Sequence, residues 1–323
     1  MRTVPFGLML LVLAASGQER EARESRGETQ YRHLYTFGTR DGIHPPKVLN
    51  RKAANTAFGR GEFPWGIGSP QSVVTDRQGR VWISDSGTGS VHVFDPEPGT
   101  YREIRRVGEA TLQSPSGMIA DAVGRIYLAD AATGGVYVFD ETGEFDRTLI
   151  PRRAGRLLET PVSLALSADG SALFVLDAGK QCVVTLNREG EQTAFFHLPR
   201  EMHQPVWLSV IRNQVDVLGS FPNLVEEFSP AGKLRGETRW DDIRVPGPFV
   251  CDERLSGCAV VDAGHMVVRI YDEAGHPVTS FGQRGDGLDQ MQRVDAIHVD
   301  AKGRVYLADA LHGRVLVFGK GNR

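Results

Sequence analysis

A segment of 42 to 47 residues recurs along this chain, and the recurrence restricts the possible folds more than any other feature. It is clearest in "PQSVVTDRQGRVWISDSGTGSVHVFD" (70–95) and "PSGMIADAVGRIYLADAATGGVYVFD" (115–140). Each copy has a proline, a short apolar stretch, an Asp-x-x-Gly turn, an alternating stretch that ends in Asp, a four-residue loop and a third stretch. Alternating, β-branched segments between glycine-containing turns are typical of β-strands. The repeat therefore predicts a series of small antiparallel sheets.

Six copies can be counted along the sequence. Further copies begin at Pro161, Pro205, Pro248 and Val294, and those at Pro205 and Pro248 are degenerate. The residues that end the second strand of each copy are Asp85, Asp130, Asp177, Gly219, Asp262 and Asp309. A more polar stretch follows each third strand, such as residues 101–108, and suits an outer edge. This period, built from short strands and glycine turns, predicts an all-β, six-bladed β-propeller of four-stranded blades.

The final copy lacks its fourth strand, because the chain stops at "VLVFGKGNR" after the third. The segment "YRHLYTFG" (31–38) has the pattern of the missing strand and can pair with residues 316–318. Joining both ends of the propeller in one blade removes the exposed edges at which the ring would open. We therefore predict that the N-terminal strand closes the ring in the last blade.

The order of proline, apolar strand, Asp-x-x-Gly turn, strand ending in Asp, loop and third strand resembles the NHL-repeat family. The copy that follows this family pattern best is "VDAIHVDAKGRVYLADALHGRVLVF" (294–318), and the resemblance covers residues 31–319. It implies a propeller fold. Members of such families include sensors, protein-binding and RNA-binding modules and a few enzymes, so the resemblance indicates the fold better than the function.

Two kinds of enzyme with similar propellers offer a comparison. Peptidyl-hydroxyglycine amidating lyases hold zinc with a His directly after the blade-opening proline in three blades, and propeller lactonases use a Glu-Gly-Pro segment. The matching positions here are Gln71, Ser116, Val162, Val206, Phe249 and Asp295, and no Glu-Gly-Pro occurs. We therefore expect no catalytic residues, metal or cofactor of these kinds. The alternative is a metal-dependent lyase or hydrolase with an atypical site that uses His265, His312, Asp295 and the long loop at 39–69.

The N-terminal segment indicates export. Residues 1–17 combine Arg2, a short apolar run and small residues, which is the pattern of a signal peptide and too short for a membrane span. Residues 18–30 form a charged spacer expected to be disordered, and 31–323 form the propeller. The formal net charge of -3 argues against a nucleic-acid partner. We expect a periplasmic or extracellular monomer.

The chain contains three cysteines, Cys182, Cys251 and Cys258. Export implies an oxidising compartment, in which a disulfide can form. Cys251 and Cys258 flank "DERLSG", and if this is a hairpin loop their side chains lie opposite each other. A disulfide between them and a pair of buried thiols are both open, and Cys182 fits a small core residue.

In this topology the loops between second and third strands share one face with the segments that join the blades. The first set offers Thr88, Thr133, Lys180, Pro222, His265 and His312, which are either ligand contacts or polar residues that close the loops. The recurrent Asp residues at the strand ends are expected to accept loop N–H groups, a structural role. Residues 39–69 form the longest joining segment, and long loops in compact domains are often functional.

We predict that this face binds a protein, a peptide or a glycan. The candidate residues come from the long loop, from segments 197–205 and 239–247, and from the shorter loops. They are Arg60, Phe63, Trp65, Lys180, Arg200, His203, Trp240, Asp241, His265, Asp295 and His312. Packed loop residues without a ligand, or a structural subunit of an envelope complex, are the competing interpretations.

Overall fold

The computed structural model describes residues 30–38, 66–95, 100–150, 157–221, 224–240, 242–287 and 289–321. The described part of the chain forms six four-stranded antiparallel sheets arranged as the blades of a propeller, as the repeat predicts. It contains no α-helix. Among these residues there is accordingly no helix with the length and apolarity that a membrane crossing requires.

The first three blades follow one another along the chain. The strand β1 (Tyr31–Phe37) belongs to the last blade. Blade 1 contains β2 (Pro70–Thr75), β3 (Val81–Asp85), β4 (Ser90–Asp95) and β5 (Thr100–Ile104). A small hairpin follows, of β6 (Arg106–Val107) and β7 (Ala110–Thr111). Blade 2 contains β8 (Pro115–Ala120), β9 (Ile126–Asp130), β10 (Gly135–Phe139) and β11 (Phe145–Ile150). Blade 3 contains β12 (Pro161–Leu166), β13 (Leu173–Asp177), β14 (Cys182–Leu186) and β15 (Gln192–His197).

The remaining blades follow the same order. Blade 4 contains β16 (His203–Ile211), β17 (Gln214–Phe221), β18 (Leu224–Phe228) and β19 (Leu234–Thr238). Blade 5 contains β20 (Pro246–Asp252), β21 (Gly257–Asp262), β22 (Val267–Asp272) and β23 (Pro277–Phe281), with a 3-10 turn at Glu253–Leu255. Blade 6 contains β24 (Val294–Val299), β25 (Val305–Asp309), β26 (Arg314–Lys320) and, outermost, β1.

The second strand of most blades is buried on both of its faces, because each blade is covered by a neighbour on either side. All residues of β3, β9, β13 and β25 are buried, although their sequences alternate in size and polarity. The outer strand β5, in contrast, contains only exposed and half-buried residues. Burial therefore falls from the middle of each blade to its rim, as the polar fourth stretches indicate.

A large aromatic residue fills the space between neighbouring blades in four places. It lies three residues before the Asp that ends the second strand, and it packs against the next blade. These residues are Trp82, Tyr127, Phe174 and Tyr306, which face blades 2, 3, 4 and 1. The corresponding residue of blade 4 is Asp216. The interface between blades 4 and 5 is therefore filled differently from these four.

The predicted ring closure is confirmed. Strand β1 pairs antiparallel with β26, and the sheet order is β1-β26-β25-β24. Aromatic residues of β1 also reach the two adjacent blades: Tyr31 stacks on Phe281 of blade 5 with ring centroids 4.7 Å apart, and Phe37 contacts Phe94 of blade 1 at 4.8 Å. The closing strand therefore ties together three blades.

The predicted start of the fifth copy of the repeat, at Pro248, is wrong. Blade 5 opens at Pro246 and not at Pro248, because Pro246 is the residue paired with Asp262, and a bulge separates it from the Phe249–Val260 pair. The same bulge occurs between Pro115 and Met118 of blade 2. Gly247, and not Phe249, therefore follows the opening proline, and the set of positions compared with the lyases still contains no His.

Cys251 and Cys258 are directly opposite each other in the β20–β21 pair and are joined by a disulfide. Their Cα atoms are 4.0 Å apart. The disulfide closes the end of this hairpin, next to the 3-10 turn. Cys182 is a buried free thiol in the packed interior, and burial raises its pKa to about 11.

Candidate functional site

Buried aspartates fix the loops on one face of the propeller. Asp130 is fully buried and accepts N–H groups from Gln113 and Ser114, which enter the blade, and from Ala132 and Thr133 of the loop after the second strand. Asp85 and Asp177 make the equivalent contacts in blades 1 and 3. Both kinds of loop therefore share a face, which we name the loop face. The opposite face carries the remaining turns, and we name it the turn face.

His265 and His312 occupy matching positions in the loops of blades 5 and 6. The Nδ1 atom of His265 lies 2.7 Å from Asp262, and that of His312 lies 2.6 Å from Asp309. The side chain of His265 is 53% exposed. Although burial of Asp262 acts in the opposite direction, hydrogen bonds from His265 and Arg269 hold the pKa of its carboxyl below the usual value. Each His is thus oriented by a buried carboxylate, a pairing that also orients imidazoles in many active sites.

The segment that joins blades 5 and 6 is tied to both of these loops. Arg284 donates to the carbonyls of Ala263 and Gly264 in blade 5, and Asp286 lies 3.0 Å from Nε2 of His312 in blade 6. That hydrogen bond lowers the pKa of the exposed Asp286 carboxyl. Both ring nitrogens of His312 therefore have protein partners, whereas the imidazole of His265 extends into solvent.

Asp295 lies on the first strand of blade 6, next to blade 1. Its carboxylate forms an ion pair with Arg293 at 3.0 Å and lies 3.5 Å from the side-chain amide of Gln71. Burial raises the pKa of Asp295, and Arg293 opposes this effect. Arg293 also lies 3.5 Å from the hydroxyl of Ser69. These polar groups connect blades 6 and 1 on the loop face.

Lys180, Arg200 and His203 lie on the loop face in blades 3 and 4, and all three are exposed. The ammonium group of Lys180 donates to the carbonyl of Leu157, in the segment that enters blade 3. Four other candidates, Arg60, Phe63, Trp65 and Asp241, lie outside the described residues. Five of the eleven candidates therefore lie on the loop face, spread over blades 3 to 6: Lys180, Arg200, His203, His265 and His312. Asp295 lies on the same face, in blade 6.

Trp240 departs from the expected arrangement. The residue is only 7% exposed, and its ring packs against Phe249 with ring centroids 6.0 Å apart. It lines a cavity of about 340 Å³ between blades 4 and 5, together with residues of the turn face such as Arg212 and Glu253. Trp240 is therefore a cavity residue and not a contact on the loop face.

Sequence reasoning missed two residues of this cavity, Asp216 and Glu227. They are cross-strand neighbours on β17 and β18, and both are buried. The signal was present in the sequence, since Asp216 takes the place of the aromatic residue found in blades 1, 2, 3 and 6. Because the copy at Pro205 is degenerate, the substitution at Asp216 does not stand out from its other departures from the repeat.

Within the described ranges, no group of three or more His, Cys, Asp or Glu side chains is arranged to hold a metal ion. His265 and His312 each have an aspartate partner, but the two pairs are not joined in one such group.

Comparisons with known proteins support the fold. No protein-family model and no curated protein matches the sequence, so no family match supports the resemblance to the NHL-repeat family. A streptogramin B lyase structure aligns with a TM-score of 0.58, 14% identity and coverage of 92% of this chain and 95% of the lyase. Hydrazine synthase from Kuenenia stuttgartiensis aligns with a TM-score of 0.58 at 11% identity, over 81% of this chain and 97% of that chain.

A protein of unknown function from Bacteroides thetaiotaomicron aligns with a TM-score of 0.60 at 14% identity, over 80% of this chain and 71% of that chain. These identities are low, and the neighbours include a lyase, a synthase and a protein of unknown function. What the chain shares with them is the propeller architecture, and function has to be argued from the site.

Proposed function

We propose that the chain is an exported binding module that holds a protein, peptide or glycan on its loop face. The observation that carries this proposal is the contrast between fixed loop backbones and variable loop side chains. Buried aspartates fix the loops, while the matching side chains change from Thr88 and Thr133 to Lys180, His265 and His312.

A fixed backbone favours binding, because little conformational entropy is lost when a ligand is held. The exposed groups of the loop face are cationic, imidazole and carboxylate side chains, which suit a polar macromolecular surface or a glycan. The N-terminal pattern of residues 1–17 favours an extracellular or periplasmic ligand.

Affinity capture with matched variants tests the loop face. The protein would be immobilised and exposed to the exported fraction of its own source cells, and bound proteins and glycans identified. Lys180→Glu/Arg200→Glu reverses two charges on the loop face, and Arg77→Glu/Lys302→Glu reverses two exposed charges on the turn face. We expect specific capture to fall in the first variant alone. Equal capture by both variants would count against the loop face as the binding surface.

A metal-dependent lyase or hydrolase is the second candidate, and the His265–Asp262 pair is the observation that favours it. A buried carboxylate that orients an exposed imidazole is an arrangement used in acid–base catalysis and in metal binding. Elemental analysis of protein purified without chelator separates the candidates. Stoichiometric zinc or calcium that is lost in His265→Ala/His312→Ala would favour the enzyme, and its absence from the wild type would favour the binding module.

A further inference from the structure

The cavity between blades 4 and 5 is separate from the loop-face site. Its volume is about 340 Å³, within the range of small-molecule sites in proteins. Its apolar wall includes Val225, Trp240 and Phe249, and its polar wall includes Asp216 and Glu227. The turns at Arg212 and at Glu253 border it, so the cavity lies towards the turn face.

The cavity exists because blade 4 lacks a pair of side chains that fills this space elsewhere. In blades 1, 2 and 6 the cross-strand pairs are Trp82–Val93, Tyr127–Val138 and Tyr306–Val317. In blade 4 the pair is Asp216–Glu227. Exchanging a large aromatic and a branched apolar residue for two carboxylic acids removes volume and puts two acidic groups side by side.

The two carboxyl groups differ in how far their hydrogen-bonding capacity is used. Glu227 is 8% exposed and accepts from Thr238 at 2.5 Å and from Gln214 at 3.1 Å. Asp216 is 6% exposed, its backbone pairs within the sheet, and its carboxyl group has no hydrogen bond from another side chain or loop N–H in the described part of the chain. A buried acid without a partner is costly, and a like charge directly across the strand adds to the cost. The arrangement is therefore suited to a positively charged group that the described residues do not supply.

Trp240 supplies an independent sign of a missing partner. Its indole Nε1 is buried and has no hydrogen-bond acceptor among the described residues. Buried Trp N–H groups usually have one. The ring also offers an aromatic surface next to Phe249, and cations are attracted to such surfaces. A ligand with a cation, an apolar body and an oxygen acceptor would satisfy both Asp216 and Trp240.

The charge of the lining has one dominant sign. Five acidic residues and one basic residue line the cavity: Asp216, Glu227, Asp252, Glu253, Glu273 and Arg212. Arg212 lies 4.0 Å from Glu273, and Asp252 is paired with Arg254. Asp216 and Glu227 are left without a cationic partner among the described residues, so the cavity favours cations and repels anions.

We propose that this cavity binds a small organic ammonium compound. The ammonium group lies between Asp216 and Glu227, and the apolar body packs on Trp240 and Phe249. A metal ion is a poorer match, because calcium takes about 6–8 oxygen ligands and the carboxyl pair offers few. The site lies apart from the loop face, so this proposal does not depend on the function proposed above.

Isothermal titration calorimetry with phenethylamine tests the site, with phenethyl alcohol as the uncharged control of similar shape. We expect the amine to bind the wild-type protein and the alcohol to bind at least about tenfold more weakly. In Asp216→Asn/Glu227→Gln the amine should also lose about tenfold or more in affinity. This variant removes buried charge repulsion, so it should fold and melt no lower than the wild type.

Two further variants make the result decisive. Glu226→Gln/Glu237→Gln removes a neighbouring cross-strand carboxyl pair, which lies on the opposite side of the same sheet, and should bind the amine as the wild type does. Asp216→Tyr/Glu227→Val rebuilds the pair of blade 2, and should be more stable and bind no amine. Equal affinity for the amine and the alcohol, unchanged affinity in Asp216→Asn/Glu227→Gln, or no binding to the wild type at millimolar amine would each overturn the proposal.

Discussion

Single aspartates have opposite effects in this molecule, depending on the partners that surround them. Asp130 is fully buried and receives four backbone N–H groups. Asp216 is almost equally buried, and its carboxyl group receives no hydrogen bond from the described residues. The first arrangement compensates the cost of burying a charge, and the second does not. Burial alone therefore does not tell whether a carboxylate stabilises this fold.

Asp130→Ala should lower the free energy of unfolding by at least about 3 kcal/mol, because it leaves several buried N–H groups without an acceptor. Asp140→Ala is the matched control. Asp140 also accepts backbone N–H groups, from Thr142 and Glu144, but in an exposed turn where water can replace it. Its removal should cost about 1 kcal/mol. Urea unfolding followed by intrinsic fluorescence would measure both, and equal losses would contradict the anchoring role of Asp130.

Asp216 should make stability depend on pH. Burial, and then the charge of Glu227, raise the pKa of Asp216 from 3.8 to about 8 in the folded protein. Between these values the folded protein holds a proton that the unfolded chain has lost, so the contribution of Asp216 to stability falls as pH rises from about 4 to about 8. Above that range the ionised carboxylate is buried without a partner.

Asp216→Asn should remove this dependence and raise the melting temperature near pH 9, where the wild-type carboxylate is charged. Thermal melts from pH 5 to pH 9 would measure the difference between variant and wild type. Glu253→Gln, an exposed acid at the border of the same cavity, is the control and should follow the wild type. A constant difference between Asp216→Asn and wild type across this range would contradict the assigned pKa.

At the scale of the strand, the hairpin of β20 and β21 forms one wall of the cavity and is closed by the Cys251–Cys258 disulfide. The sequence separation of seven residues predicts that the disulfide stabilises the fold by about 2–3 kcal/mol, through restriction of the unfolded chain. Cys251→Ser/Cys258→Ser should lose this amount in urea unfolding. Added reductant should have the same effect on the wild type and none on the variant, and a Cys182→Ala protein should remain sensitive to reductant.

The elements that the sequence predicts well are those defined by local signals. The Asp-x-x-Gly turns, the strands that follow them and the blade-closing segment 31–38 all occur where the pattern places them. The start of blade 5 does not follow from the sequence, because "VPGP" offers two prolines and only the pairing of Pro246 with Asp262 selects between them. The cavity at Asp216 was missed since it depends on which side chains are absent between two blades, a property that no single segment contains.

At the scale of the whole molecule, the ring separates two candidate sites of different character. The loop face has fixed backbones and exposed polar side chains, whereas the cavity between blades 4 and 5 is acidic and partly aromatic and is lined by the buried Asp216, Glu227 and Trp240. Contacts between the first strands of neighbouring blades run around the ring and close it between blades 6 and 1. Both sites therefore rest on the same closed ring, and any change that opens it should weaken both.

The closing strand β1 is where this dependence can be tested. Deletion of residues 31–38 leaves β26 as an open sheet edge and removes the contacts of Tyr31 with Phe281 and of Phe37 with Phe94. We expect the melting temperature to fall by roughly 10 °C or more and the protein to associate with itself through the free edge. Deletion of residues 18–28, predicted from sequence to be a spacer, should leave the melting temperature unchanged.

A pair of substitutions at one position refines this test. Tyr31 is buried and stacks on Phe281, but its hydroxyl is buried without a partner among the described residues. Tyr31→Phe should therefore keep or slightly raise stability, because it removes an unsatisfied polar group, while Tyr31→Ala should cost about 3–5 kcal/mol through the lost packing. Thermal and urea unfolding would compare the two variants with the wild type. If Tyr31→Ala were as stable as Tyr31→Phe, the strand would pair with β26 without holding blade 5 to blade 6, and the ring would depend on its inner strands alone.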